Sequence, residues 1–195
     1  MTVHQWGVVP FEEAEARMQT LHAQAVQHKE NHLILCSHPP LFTLGSDDKN
    51  AWNVKTVRCG RGGSITAHTP GQCIFYFVFQ APNPARFYAN VRKAFEAFFS
   101  RHLPTVTYDK HRPGFYIDNR KIASLGFRYS QGVSLYGVAL NVDVDLEFHA
   151  QVPPCGLEGI VPTSLAAEGM KISEEEVFSE IAKNIEEAFN ENALF

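Results

Sequence analysis

One cysteine lies in a segment that could present a thiol for chemistry. Cys155 belongs to the run Val152-Pro-Pro-Cys-Gly-Leu-Glu-Gly159, in which two prolines stiffen the approach and a glycine frees the backbone immediately afterwards. This pattern predicts a thiol held at a rigid turn instead of inside a strand. The other cysteines lie in or beside apolar runs, where a cysteine is usually an inert small hydrophobe: Cys36, Cys59 and Cys73. No Cys-x-x-Cys pair and no Cys/His cluster with zinc-ligand spacing occurs in the sequence.

A lysine and a glycine-rich segment could cooperate with that thiol. Lys121 begins the mainly apolar run Lys121-Ile-Ala-Ser-Leu125. A lysine at such a place is usually solvated, and it becomes functional if its ammonium is held beside a nucleophile against an apolar pocket. In the segment 61–72, Gly62 and Gly63 carry no Cβ, so a ligand or another backbone can approach closely. The same segment also fits a β-turn with a structural arginine and histidine. It is not a phosphate-binding loop, because no Gly-Lys-Ser/Thr follows the glycines.

Length and composition limit the class of protein. The 195 residues predict one domain, 1–195, and 45% apolar with 19% charged residues predict a sizeable core and exclude overall disorder. The net charge of −4 argues against a nucleic-acid-binding protein. The N-terminus lacks the cationic start and apolar run of a signal peptide, and the longest apolar stretch, Cys73–Phe79, is too short to span a membrane. We therefore expect a cytoplasmic protein with free thiols and no membrane contact.

The elements that must position these residues follow from apolar spacing. Helical spacing occurs over 11–25, 87–98 and 177–189, and the last of these follows a Ser173–Glu176 capping box. Runs typical of strands occur at 32–36, 54–59, 73–79, 115–117, 121–125 and 133–142. A glycine-rich turn separates the second run from the third, and no βαβ rhythm is visible. The pattern predicts an α+β fold, a mixed and largely antiparallel sheet packed with helices.

Several motifs, taken together, resemble one enzyme family. They run in order through roughly residues 30 to 170: His38–Gly45, Arg61–Gln72, Lys121–Gly126, Gly137–Asn141, Pro154–Gly156 and Thr163–Leu165. This ordered set resembles the octanoyl-[acyl-carrier-protein]:protein octanoyltransferases of lipoate biosynthesis, also called lipoyl(octanoyl) transferases. The resemblance implies a fold like that of the catalytic domain of biotin and lipoate protein ligases.

The resemblance also implies a two-step reaction that uses no ATP, no metal and no other cofactor. Cys155 would attack octanoyl-acyl carrier protein and form an octanoyl thioester. The lysine of a lipoyl domain, in 2-oxoacid dehydrogenases or the glycine cleavage H protein, would then take the octanoyl group. Lys121 matches the family's catalytic lysine. It would keep Cys155 ionised and, with a lowered pKa, pass protons between the substrates.

By the same resemblance, an acyl pocket would be lined by Arg61, Gly62, Gly63, Ser64, Ile65, Thr66, Ala67, His68, Ser124, Leu125, Gly126, Gly137, Val138 and Ala139. The small residues among them, at 63, 126, 137 and 139, would leave room for an eight-carbon chain. Backbone N–H groups near Cys155 or Gly126 would hold the oxyanion.

Four positions depart from the family pattern. Ala67 and Thr69 replace a tyrosine and a glycine on either side of His68, Gly60 replaces an acidic residue, and Tyr136 replaces a histidine. With an ordinary pKa near 10, a tyrosine cannot shuttle protons at neutral pH as a histidine can. The departures leave Cys155 and Lys121 in place and bear on acyl-chain length and on substrate orientation.

Two other functions fit the same scaffold. The chain could be an ATP-dependent lipoate or biotin ligase in which Lys121 holds an adenylate, or a non-catalytic binder of acylated or lipoyl proteins. For the transferase, a basic surface would meet an acidic carrier protein, and the candidates are Lys110, His111, Arg112, Arg58 and Arg128. The run 110–112 also fits a solvated loop.

Overall fold

The structure, a computed structural model that describes residues 1–190, contains helices interspersed with strands. The helices are α1 (Phe11–His28), α2 (Pro84–His102), α3 (Leu146–His149) and α4 (Glu174–Asn190). The strands are β1 (Thr2–Val8), β2 (His32–Ser37), β3 (Leu41–Leu44), β4 (Thr56–Arg58), β5 (Ile65–His68), β6 (Gln72–Val78), β7 (Thr107–Asp109), β8 (Gly114–Ile117), β9 (Arg120–Ser130), β10 (Val133–Asn141) and β11 (Val161–Pro162). The predicted α+β class is confirmed.

A large mixed sheet forms the frame of the molecule. Its strand order is β1-β2-β6-β10-β9-β8-β7, and β11 adds to β9. The pairs from β2 to β7 are antiparallel, as expected, whereas β11 runs parallel to β9 and β1 runs parallel to β2. Because α1 connects β1 to β2, these elements form a βαβ unit at the edge of the sheet, which the sequence pattern did not reveal. The side chains of β1 are exposed or half-buried at the sheet edge, so no apolar run marks this strand in the sequence.

The two faces of the large sheet are covered differently. Helices α2 and α4 pack on one face, where Phe75 of β6 lies edge-on to Phe95 of α2 at 5.2 Å between ring centroids. Burial of each such phenylalanine contributes about 1.5–3 kcal/mol to folding. On the other face, Met18 of α1 packs with Ile74 and Tyr76 of β6. The predicted capping box begins α4, since Ser173 Oγ accepts from the N–H of Glu176 at 3.2 Å.

A second, three-stranded sheet lies beside the face that carries α1. Its order is β4-β3-β5, with β3 antiparallel to β5. The predicted glycine-rich turn between two strands is therefore wrong in part, because its second half, Ile65–His68, is the buried strand β5. Four residues are too few to show an apolar rhythm next to the glycines. Among residues 1–190, no helix has both the length and the apolar character needed to cross a membrane.

Candidate active site

The Cys155 sulfur and the Lys121 amine lie in hydrogen-bonding contact. Lys121 Nζ is 2.9 Å from Cys155 Sγ, although the two residues are 34 positions apart in the chain. Lys121 is only 2% exposed, whereas Cys155 is half-buried. Ser124 Oγ lies 3.8 Å from the same sulfur. The arrangement joins a reachable thiol to a cation that is shielded from water.

Backbone conformation presents the cysteine. Cys155 has φ +55° and ψ 26°, a left-handed conformation that is uncommon for a residue other than glycine. The following Gly156 has φ +68°, and a Cβ there would lie 2.8 Å from Ser64 Oγ. The N–H of Gly156 donates to the carbonyl of Pro153 at 2.8 Å. The Pro-Pro-Cys-Gly run therefore forms the tight turn that the sequence predicts, with a backbone that only a glycine after the cysteine allows.

Neighbouring strands hold the backbone of Lys121, and further groups surround its amine. In β9 it pairs with Tyr116 of β8 and with Pro162 of β11. Its amine also donates to the carbonyl of Pro113 at 3.4 Å and lies 5.2 Å from the centre of the Tyr116 ring. Gly114 leaves the space for the side chain, because a Cβ there would lie 2.6 Å from Lys121 Cε. The lysine is therefore a buried side chain and not a solvated residue at a hairpin tip.

Burial and the facing charges act in opposite directions on this pair. Burial raises the pKa of the Cys155 thiol. The Lys121 ammonium and the Arg61 guanidinium together lower it by more than burial raises it, so the pKa of Cys155 lies below its ordinary value. Burial lowers the pKa of Lys121. Cys155 and Tyr116 together raise it by more than burial lowers it, so the pKa of Lys121 lies above its ordinary value. The predicted lowering of the Lys121 pKa is wrong for this state of the site, because the thiolate outweighs desolvation of the amine. Both shifts favour the ammonium–thiolate form of the pair.

A narrow cavity between the two sheets begins at Cys155. Its lining contains most of the residues predicted for an acyl pocket: Arg61, Gly62, Gly63, Thr66, His68, Ser124, Leu125, Gly126, Gly137, Val138 and Ala139. Ser64, Ile65 and Ala67 do not line it. Ala67 faces a smaller cavity on the other side of Cys155, Ser64 faces an outer groove, and Ile65 is fully buried.

The glycines in the cavity lining allow neighbouring backbones to approach closely, and they contribute little free space to the cavity. A Cβ on Gly137 would lie 1.9 Å from the carbonyl oxygen of Phe75, and one on Gly126 would lie 3.0 Å from that of Gly62. The prediction that Gly137 is small to leave room for a ligand is wrong, because that room is already filled by the neighbouring strand. Ala139, in contrast, lies in the cavity lining beside the apolar residues of β6.

Buried polar side chains connect the small sheet to the large one. Arg61 Nη2 donates to Thr43 Oγ1 at 2.9 Å, and Thr43 Oγ1 lies 2.9 Å from His68 Nε2. His68 Nδ1 lies 2.7 Å from the amide oxygen of Gln72, whose nitrogen donates to Asn141 at 2.9 Å. Because the amide oxygen can only accept, His68 carries its proton on Nδ1. Burial lowers the pKa of His68 well below its ordinary value, so the ring is neutral near pH 7.

A carboxylate that sequence inspection did not single out supports the cysteine turn. Asp48 is buried, and it accepts hydrogen bonds from the Ser64 hydroxyl and from Trp52 Nε1, the latter at 3.0 Å. Ser64 and the Trp52 ring are the groups nearest to Gly156 beside Cys155. No local pattern marks this aspartate, since its partners are fixed by the fold of the loop. Within the described residues, no group of three or more His, Cys, Asp or Glu side chains is arranged to hold a metal ion.

Comparison with known proteins assigns the family. The family model for the lipoyl protein ligase A/B catalytic domain matches residues 10–186 of this chain. The chain belongs to the lipoyl protein ligase A/B catalytic-domain family. The octanoyltransferase of Thiobacillus denitrificans is 33% identical over 185 residues, which cover 90% of this chain and 85% of that protein. The expected family is therefore confirmed, and the chain is an acyltransferase enzyme.

Solved structures of lipoate protein ligases and of biotin protein ligases share the fold. A bi-partite lipoate protein ligase from Thermoplasma acidophilum has a TM-score of 0.71 at 15% identity, covering 97% of this chain and 84% of that chain. A biotin protein ligase from Leishmania major, in complex with biotin, has a TM-score of 0.60 at 12% identity, covering 94% and 72%. At these identities the likeness concerns the fold, and it confirms the expected ligase-like architecture.

Proposed function

We propose that this acyltransferase moves an octanoyl group from octanoyl-acyl carrier protein to the lysine of a lipoyl domain through an octanoyl thioester on Cys155. The observation that carries the proposal is the 2.9 Å contact between Lys121 Nζ and Cys155 Sγ at the mouth of an apolar cavity. A thiolate, and not a thiol, is the nucleophile that opens a thioester. A cavity that starts at the sulfur offers the attached acyl chain a place away from water.

In the first step, the Cys155 thiolate attacks the carbonyl carbon of the octanoyl thioester. The bond from that carbon to the carrier sulfur breaks, and the departing thiolate takes a proton from the Lys121 ammonium. The products are the Cys155 thioester, a neutral Lys121 amine and a carrier thiol, so charge and protons balance. Burial of seven methylenes of the chain would contribute up to about 5–6 kcal/mol of binding.

The second step depends on what acylation does to Lys121. The thioester is neutral, so the anion that raises the pKa of Lys121 is gone, and burial, which lowers that pKa, is no longer opposed by the sulfur. The neutral Lys121 amine then accepts a proton from the incoming lysine amine as that amine attacks the thioester. The amide forms, the Cys155 thiolate leaves, and the original ion pair is restored.

The proposed donor and acceptors reach the site from an open groove. Two of the candidate docking residues, His111 and Arg112, line this groove, which also contains Lys121 and Cys155. Arg58 instead donates to the carbonyl of Asp48 at 3.3 Å, outside the groove lining. We propose that the acidic carrier protein contacts the His111–Arg112 side. The proposed acceptors are lipoyl domains of 2-oxoacid dehydrogenases and the glycine cleavage H protein.

Intact-protein mass spectrometry tests the proposal. Wild-type enzyme mixed with octanoyl-acyl carrier protein, without ATP, should gain one octanoyl group and lose it again when a lipoyl domain is added. Cys155→Ser should gain none, because a serine hydroxyl beside Lys121 is not ionised at neutral pH. Cys59→Ser, at a buried thiol outside the cavity lining, is the matched control and should behave as wild type.

Each alternative function has its own result in the same assay. If octanoyl transfer to the lipoyl domain requires octanoate and ATP, the chain is a ligase. If wild-type Cys155 acquires no octanoyl group and no acceptor is modified under either condition, the chain is a binder and the proposed transfer is wrong.

A further inference from the structure

The cavity beside Cys155 has one open end and one closed end. Its residues Gly62, Gly126 and Cys155 also line the outer groove, so the open end is at the sulfur. Phe11 and Tyr136 line the cavity but not that groove, and both are almost fully buried, at 3% and 1% exposure. A chain attached to the sulfur and extended inwards therefore runs towards these two rings.

An irregularity in β10 directs Tyr136 into the cavity. Tyr136 has φ +62°, and its N–H points at the sulfur of Met18 in α1, at 3.4 Å. In a regular strand, consecutive side chains lie on opposite faces. Here Leu135 and Tyr136 both pack on the face that carries α1, and Val138 returns to the opposite face. The left-handed backbone at Tyr136 thus places its ring on the face that carries α1, where regular strand alternation would not place it.

Two hydrogen bonds to its hydroxyl fix the position of the Tyr136 ring. The Tyr136 hydroxyl donates to Glu15 of α1 at 2.5 Å and accepts from the N–H of Gly60 at 3.0 Å. Gly60 and Tyr136 both depart from the family's usual sequence, and here they contact each other. A Cβ at Gly60 would lie 3.3 Å from the Tyr136 oxygen and 2.7 Å from Arg128 Nη1, so glycine provides the space for this contact.

Phe11 separates the cavity from a second, open groove on the far side. That groove is lined by Phe11 together with apolar residues such as Leu41, Phe42 and Val57. Phe11 is the first residue of α1, and its ring lies edge-on to His38 at 5.5 Å between centroids. Because one side chain lines both spaces, it is a partition between them.

We propose that Phe11 and Tyr136 form an end wall that sets the longest acyl chain the enzyme accepts on Cys155. The inference rests on the proposed acyl transfer and adds a length limit to it. A methylene that the cavity can bury favours binding about fourfold, and one that meets the wall gains nothing. Removing the wall should therefore favour long chains over octanoyl, with the tail entering the space of the Tyr136 ring or passing into the second groove beyond Phe11.

Acyl-chain competition tests the wall. Octanoyl-acyl and dodecanoyl-acyl carrier proteins are offered to each variant, and kcat/KM for each donor is measured with the intact mass of acylated Cys155. Tyr136→Gly removes the ring and suits the left-handed backbone, and Phe11→Ala opens the partition. We expect each to raise the dodecanoyl-to-octanoyl ratio of kcat/KM by at least about tenfold. Tyr136→Phe keeps the ring but loses both hydrogen bonds, so its ratio should match wild type.

The outcomes separate the wall from the proposed transfer. If wild-type Cys155 takes up neither chain, the proposed function fails. If wild type takes up octanoyl and the ratio is unchanged in the folded variants, the wall is overturned, because a merely structural role would lower both rates alike. Phe11→Leu removes less volume, is expected to fold where the larger truncations do not, and should shift the ratio in the same direction by less.

Discussion

Replacing Lys121 with methionine should raise the pKa of the Cys155 thiol and slow its alkylation near neutral pH. At the observed 2.9 Å, two unit charges attract by about 6 kcal/mol at an effective dielectric of about 20. Burial of both charges offsets part of this attraction, and the net effect still lowers the pKa of the thiol. Once the ammonium is gone, burial opposes ionisation, and the Arg61 guanidinium and the Ser124 hydroxyl still favour it. Because a tenfold change needs only about 1.4 kcal/mol, we expect alkylation at pH 7 to slow by at least about tenfold.

The assay is the pH dependence of iodoacetamide labelling at Cys155, followed by intact mass. Methionine has nearly the length of lysine and is apolar, so the variant should keep its fold, which a thermal melt checks. Lys183→Met, at a side chain that is 75% exposed in α4, is the matched control and should label as wild type. If Lys121→Met labels with the same pH midpoint and rate as wild type, the ammonium does not hold the thiolate and the reasoning fails.

Three further perturbations act on the support of the site. Gly114→Ala places a Cβ 2.6 Å from Lys121 Cε, so we expect a more than tenfold lower kcat and a higher pKa for Cys155, measured by transfer and labelling assays. Asp48→Asn removes the charged acceptor of the hydrogen bonds from Trp52, Ser64 and the Asn50 N–H and should cost about 1–3 kcal/mol in urea unfolding. Burial lowers the pKa of His149 from 6.5 to about 4, with a small opposing effect of Asp145. Between those pH values the unfolded histidine binds a proton that the folded one does not, so stability falls as the pH drops, by about 2 kcal/mol at pH 5. His149→Gln should remove that loss, measured by urea unfolding at pH 7 and pH 5.

These predictions have separate controls. Gly132→Ala changes a turn glycine with φ +75° and no other group within 4 Å of its Cβ position, so it should lose stability without changing Cys155. Equal labelling of Gly114→Ala and wild type would contradict the crowding argument. An Asp48→Asn enzyme as stable as wild type would show that its hydrogen bonds contribute nothing. An unchanged acid sensitivity in His149→Gln would assign that sensitivity to other buried histidines.

Local sequence signals predicted the elements whose apolar spacing is long enough to read. Helices α1, α2 and α4 and the turn at Cys155 belong to this class, because each depends on residues close together in the chain. Strand β1 was not predicted, because its position at the sheet edge leaves its side chains exposed or half-buried. The short strand β5 escaped because glycines precede it and four residues carry no rhythm.

The electrostatics of the site depended on contacts between distant segments. Lys121 alone fits a solvated lysine as well as a catalytic one, and its burial follows from pairing with two strands and from the space beside Gly114. The direction of its pKa requires the distance to Cys155, which no spacing in the sequence gives. Asp48 and the left-handed Tyr136 likewise acquire their roles through partners more than ten residues away.

The buried hydrogen bonds around Gln72 make the enzyme sensitive to substitution at positions that form no hydrogen bond with Cys155 or Lys121. Its amide serves His68 at one end and Asn141 and the Ala67 carbonyl at the other. An apolar replacement would leave those partners unsatisfied together, at about 1–3 kcal/mol for each buried group. Mutational surveys that measure activity alone would count Gln72 and Asn141 among the reacting residues and would assign too many residues to the catalytic centre. A survey that also records thiol labelling would assign them to the scaffold.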